Sequence, residues 1–373
     1  MSVTSSEQEA LFFIFDLINK LCKIQDKKGC YKDKHWNSMQ TAVLNCQIGL
    51  LLSLFNLEQL KNNKTRLIKF LIDPINMSQE DAYSWRCLPL MYLDAKEIYQ
   101  KDALMDLEDI IKAKNKHDIN SPLDEFYLEC KYRIDKEDNQ ISSSLIITQQ
   151  QIIEKKEYSS IELPKLCYIL LNLNIRSKIS EENIIGILNF LEGKCASQSI
   201  DKIQLTDLSY VLIDLIELKM DGLSERCEQL CNNIISRLVK FLVNKTVKHE
   251  FHSCDLAGGH FISTPYNAIL IARAISLYYS VFEKNNLEKL LKKYKIKRLI
   301  KNIKTYVSIP IITYGIVFLI HLISPYFIRL FNTTKTVNSL GTISAVITIA
   351  IGIISLYNYV VKLTAKNNNN LNL

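Results

Sequence analysis

Two long runs near the C-terminus carry no formal charge: residues 307–328 (22 positions) and 336–361 (26 positions). About 20 consecutive apolar residues at a 1.5 Å rise cross the hydrocarbon core of a bilayer, so each run is long enough to span one. Only 329–335 joins them, which forces an antiparallel hairpin. Tyr306, Tyr314, Tyr326, Tyr357 and Tyr359 stand toward the expected interfaces. The reading is a pair of transmembrane helices.

The flanks orient the hairpin. Residues 284–304 hold nine Lys or Arg and a single acid, Glu288, while Lys362 and Lys366 follow the second run. Basic flanks stay on the cytoplasmic side, so a multi-pass protein with two spans and both termini in the cytoplasm is expected. No basic stretch opens the chain, which begins Met-Ser-Val-Thr-Ser-Ser-Glu, and a signal peptide is not expected. Within 284–304, Leu287, Leu290, Leu291, Tyr294, Ile300 and Ile303 recur at helical spacing between lysines. This is the pattern of a basic amphipathic helix lying on anionic lipid of the inner leaflet. An ionisable residue inside a span usually faces a bundle interior. His321 is therefore a candidate membrane-interface or pore residue.

The net charge of +7 belongs to this basic end. Residues 1–283 carry 33 Lys or Arg against 38 Asp or Glu. A mildly acidic head lacks the electrostatic footprint of nucleic-acid binding. The organisation expected is a cytosolic helical domain over 1–283, the juxtamembrane helix over 284–304, the hairpin over 305–363 and a short polar tail over 364–373. Ten cysteines without secretory context read as free thiols, several of them inside apolar helical patterns.

Seven prolines and ten glycines leave little material for the turns of a β-sandwich or barrel. Helical periods instead follow one another: 7–25, 37–57, 65–72, 81–99, 103–114, 121–134, 161–175, 180–193, 205–220, 222–244 and 263–283. Residues 135–160 are polar, with one β-prone patch at 144–148, and read as a long loop with a strand or short helix. Helices apolar on every side (37–57, 161–175, 205–220, 263–283) alternate with amphipathic ones (7–25, 58–72, 180–193, 222–244). Alternation of this kind suits two tiers, the inner one covered on most sides and the outer one facing water. The fold class is all-α.

The run Gly29-Cys30-Tyr31-Lys-Asp-Lys-His35-Trp36-Asn-Ser-Met-Gln-Thr41 resembles a terpenoid-cyclase or protein-prenyltransferase repeat. In that family a glycine-aromatic turn precedes an inner helix starting on a small polar residue. Gly258-Gly259-His260-Phe261-Ile-Ser-Thr264-Pro-Tyr266-Asn267 is similar and lies near the other end of the head. The resemblance implies an α/α-toroid, a ring of helical hairpins around a central cavity, here followed by the two transmembrane helices. It does not extend to the catalytic motifs. Neither the Asp-x-Asp-Asp acid motif nor the Asp-Asp-x-x-Asp magnesium motif occurs, and Lys28 stands where the prenyltransferases carry a zinc-binding Asp.

Residues 249–260 hold His249, His252, Cys254, Asp255 and His260, donor types that zinc favours. Their spacing matches no standard module, so a capping loop without metal is expected, with these five as the metal candidates to test. Cys227 and Cys231 share a helical face and read as core. His35, Trp36, Trp85, Arg86, His252, His260 and Tyr266 would rim one end of a toroid cavity and are the candidate ligand-binding residues. No phosphate loop, paired-carboxylate motif or nucleophile elbow is present, and no cofactor is expected.

A head without recognisable catalytic residues above a two-span hairpin reads as a membrane-anchored sensor or effector. The head would bind a small-molecule or protein ligand and control the hairpin, as in membrane-permeabilising effectors of microbial defence, and homo-oligomers would form through the spans. The alternative is a membrane-associated enzyme of terpenoid or prenyl type acting on a lipid or isoprenoid substrate.

Overall fold

The computed structural model describes residues 4–32, 38–55, 57–72, 87–93, 143–156, 158, 161–196, 199–251 and 264–297. The chain divides into two units, Met1–Lys292 and Lys293–Leu373. Of the second, only 293–297 is described. The described residues form helices and no strands. They are α1 (Ser5–Ile24), α2 (Ser38–Ser53), α3 (Lys61–Ile72, entered by the 3₁₀ turn Glu58–Leu60) and α4 (Cys87–Tyr92). α5 (Ser143–Glu154), α6 (Leu163–Ile175), α7 (Glu181–Lys194), α8 (Leu205–Asp221), α9 (Glu225–Val247) and α10 (Thr264–Phe282) follow. A final helical stretch occupies 284–297.

Local chemistry sets the ends of these helices. Thr4 and Glu7 form a capping box at the start of α1: the Thr4 hydroxyl accepts from Glu7 N at 3.3 Å, and Thr4 N donates to Glu7 Oε2 at 2.7 Å. Ser180 caps α7 through Asn183 N at 3.3 Å. Gly222 ends α8 at φ +98, a left-handed conformation that suits glycine.

The helices sort by which faces must leave water. α2 is apolar all round, and Val43, Cys46, Ile48, Leu51 and Leu52 are buried. α6, α8 and α10 are apolar in the same way, and the contacts run in sequence from α6 to α8, α8 to α10, α10 to α2 and α2 to α4. The amphipathic helices cover them. α9 buries Cys227, Cys231, Ile234, Ile235, Leu238, Leu242 and Thr246 at helical spacing against α8 and α10, and it packs on α1 and α7. α3 covers α2. Close approach is built into the α2–α4 contact, where a Cβ on Gly49 would stand 2.8 Å from Pro89 Cβ.

α9, α7 and α3 each pack on an apolar helix, as the two sets read from the sequence lead one to expect, whereas α1 packs on the amphipathic α9. Of the two alternatives for the segment 135–160, the short helix is the one found, over Ser143–Glu154. The patch at 144–148 is helical, inside α5. β-branched residues lower helix propensity only slightly, and tertiary packing overrides them. α5 rests on α6, with Ile153 and Gln149 buried four residues apart and Gln149 Oε1 accepting from Asn172 Nδ2 at 2.7 Å.

Among the described residues no helix is long and apolar enough to cross a membrane. The expected spans 307–328 and 336–361, the tail, the helices over 103–114 and 121–134 and most of 81–99 lie outside the described residues. The basic helix expected over 284–304 is helical over 284–297, with Leu287 and Leu290 buried.

Seven described cysteines are free, and all but Cys22 are buried. Desolvation pushes the Cys30 and Cys195 thiols up to about 11 and Cys231 up to about 12, from an ordinary 9.0. At pH 8 iodoacetamide should therefore leave these three unmodified in the native protein and alkylate them in urea, as read by peptide mass mapping. Because the fold favours the protonated thiol, the stability this confers is complete below pH 9.0 and declines as pH rises toward about 11 to 12. Alkylation of Cys231 in the native protein would contradict its burial.

Candidate functional site

A chain of polar side chains runs through the apolar helices. Arg273, on α10, is 5% exposed and donates from Nη1 to Gln47 Oε1 on α2 at 2.8 Å. Arginine can only donate, so this contact fixes which way the Gln47 amide faces and turns Nε2 the other way. Gln47 Nε2 donates to the Tyr210 hydroxyl on α8 at 3.0 Å. Tyr210 Oη in turn lies 3.1 Å from Tyr266 Oη, back on α10. Tyr266 and Arg273 are seven residues apart, two helical turns, and so share a face of α10.

The environments along this chain differ. Gln47 is fully buried and Tyr210 is 2% exposed, whereas Tyr266 is only half-buried. The chain therefore leads from a buried cation toward a hydroxyl that solvent reaches. Hydrogen bonds in such a series polarise one another in a low-dielectric interior. The arrangement holds a tyrosine hydroxyl pair, an amide and a guanidinium in one line across three helices. It can recognise a polar or anionic ligand group.

The described residues on either side of 252–263 are tied together beside it. Asn267 Nδ2 donates to the Phe251 carbonyl at 2.9 Å, joining the residues that flank 252–263. His249 adopts a left-handed φ of 57, with its ring centroid 5.1 Å from that of Phe13 and 6.4 Å from that of Phe251. That places His249 against the ring of Phe13 on α1 and that of Phe251.

Of the residues expected to rim a cavity, Tyr266 belongs to this polar chain. His35, Trp36, Trp85, Arg86, His252 and His260 lie outside the described residues. The same holds for Cys254 and Asp255 of the metal candidates and for His321. Among the described residues no group of three His, Cys, Asp or Glu could hold a metal ion. Gln47, Tyr210 and Arg273 were not singled out in the sequence. Their signal is faint but physical: Arg273 is the one charged residue of the apolar helix α10 and Gln47 one of a few polar residues in the apolar helix α2, and burial of such groups is costly unless they are bonded.

The chain matches no protein-family model, no curated protein and no solved structure.

Proposed function

We propose that this chain is a membrane-anchored sensor or effector. Its helical unit binds a polar or anionic ligand between α2, α8 and α10 and passes that event to a two-helix hairpin over 307–328 and 336–361. The observation that carries the ligand site is the chain Arg273–Gln47–Tyr210–Tyr266. A guanidinium and an amide set inside apolar helices give up stability that well-packed apolar side chains would confer. Proteins break that local rule chiefly where a site needs it.

An α/α-toroid is the architecture proposed for the unit. The contact order α6, α8, α10, α2, α4 supports it, because α10 returns the end of the unit to its start, and so does the outer cover of α7, α9, α1 and α3. The anchor is proposed from the two charge-free runs and their basic flanks.

Membrane fractionation and dye leakage test this together. The full chain should sediment with membranes, and a chain lacking 305–373 should be released. Vesicles reconstituted with the full chain should leak dye, and Ile349→Lys should abolish leakage, since Lys at a helix centre costs about 2.5–3.5 kcal/mol on insertion scales. Arg273→Met should change the ligand response of leakage and leave sedimentation intact. Membrane retention of the truncated chain would overturn the anchor. Turnover of an isoprenoid substrate by tight vesicles would move the assignment to an enzyme.

A further inference from the structure

After Glu288 no Asp or Glu occurs in 289–373. The helical stretch 284–297 stands at the head of this acid-free part and exposes Lys284, Lys289, Lys292, Lys293, Lys295 and Lys297. Its only acid is Glu288, with Glu283 just before it. Six lysines against these two carboxylates leave an excess of four positive charges. α10, which leads into the stretch, holds no acid.

The faces of this helix differ. Leu287, Leu290 and Tyr294 recur at helical spacing and are 6%, 7% and 6% exposed. That face is closed to a lipid surface. Ile296, by contrast, is 59% exposed. It follows Lys289, Lys292 and Lys293 by seven, four and three residues, and so shares a helical face with them. The outward side of the helix is thus a cluster of ammonium groups around one apolar side chain.

We infer that this outward side docks on the anionic headgroups of a bilayer, held by charge, with Ile296 entering the interface. Anionic lipid attracts lysine clusters of this kind at the membrane surface, and an apolar side chain suits the boundary between headgroups and acyl chains. The side bearing Leu287 and Leu290 takes no part, so the contact depends on lipid charge and not on insertion of a broad apolar face. The inference rests on the proposed spans and states how the helix ahead of them meets the membrane. Ten residues lead from 297 to the charge-free run at 307, at most about 35 Å of extended chain. That tether holds the lysines close to the bilayer surface. A bilayer is favoured over a nucleic acid by the same tether and by Ile296, for which a phosphate backbone offers no apolar partner.

The test reconstitutes the full chain carrying Ile296→Trp in vesicles of brominated phosphatidylcholine, with and without phosphatidylserine. It reads tryptophan quenching in excess of that of the parent chain, which has Trp36 and Trp85. Excess quenching is expected with phosphatidylserine and should fall away in neutral vesicles and in high salt. Each lysine near an anionic surface strengthens the contact about fivefold. Lys289→Glu with Lys292→Glu should therefore weaken it about twentyfold or more and remove the excess. Lys240→Glu with Lys248→Glu, the same change of net charge on α9, should leave it as it was. Equal quenching in neutral and anionic vesicles overturns the inference, and so does quenching that survives the first pair of substitutions. Poly-uridylate that removes the excess at phosphate concentrations below that of the lipid overturns it in favour of a nucleic acid. Alkaline carbonate extraction reads the spans separately. A chain released by carbonate with its salt-sensitive quenching intact overturns the spans and sustains the lysine contact. A chain retained without excess quenching keeps the spans and overturns the contact.

Discussion

A Gly29→Ala chain should be less stable than the parent by about 3 kcal/mol or more, read as a fall in the urea midpoint at an unchanged slope. Two separate penalties add at this position. Gly29 has a φ of +92, where a side chain is strained, and left-handed backbone costs an L-residue about 1–2 kcal/mol. The new Cβ would also collide with the Arg66 carbonyl group of α3, a backbone group that no rotamer change can move aside. Overpacking of this kind costs about 1–3 kcal/mol. The turn has little freedom to yield. Asp26 N donates to the Cys30 carbonyl at 3.0 Å, Gly29 N to the Asp26 carbonyl at 3.1 Å, and Cys30 N to Asp26 Oδ1 at 2.8 Å. Gln25 Nε2 further ties the Gly29 carbonyl to α3 through Asn63 O, with 3.0 Å to each. A Gly29→Ala chain as stable as the parent would mean that the α1–α2 turn is free to separate from α3.

This turn shows what the sequence made legible and what it did not. Gly29-Cys30-Tyr31 could be picked out as a glycine-aromatic turn before an apolar helix, and the structure places it there, with Tyr31 buried. Its anchors could not be picked out. Asn45 lies fourteen residues from Tyr31 and Asn63 lies 38 residues from Gln25, and nothing in local pattern pairs them. The tiers of helices follow the same division. Periodicity separates a helix covered on all sides, such as α8, from one with a wet face, such as α9, because each must match its apolar surface to its burial. It does not say that α10 meets α2, a contact between residues more than two hundred positions apart. At the site, Tyr266 could be named from the motif around Gly258, while Gln47, Tyr210 and Arg273 are joined only by the fold. The aromatic and histidine residues expected to surround Tyr266 lie outside the described residues.

Asn45→Ala should cost about 3 kcal/mol, from the bonds its amide makes to backbone that has no access to water. Asn45 is fully buried on α2. Its Oδ1 accepts from Tyr31 N at 2.9 Å, and its Nδ2 donates to the Tyr31 carbonyl at 3.0 Å and to the Thr41 carbonyl at 2.7 Å. One side chain thus mimics a strand partner for Tyr31 and holds the turn against the first turns of α2. Alanine removes both halves of that pairing and leaves a buried N–H and a buried carbonyl without their partner, each worth about 1–3 kcal/mol, together with a small void. Asn45→Asp separates the two halves. It keeps an acceptor for Tyr31 N but turns a carboxylate oxygen toward the two carbonyls, so it should be no more stable than Asn45→Ala at pH 7 and should recover as the pH falls and the acid protonates to a donor. Equilibrium urea unfolding of the three chains at pH 7 and pH 5 decides the matter. Two residues along α2, Gln47 faces the Arg273 chain instead, so a turn loosened by Asn45→Ala should also shift the register of α2 against α10. A variant with near-parental stability, or an Asn45→Asp chain that loses further stability on acidification, would show that the amide is not what secures the turn.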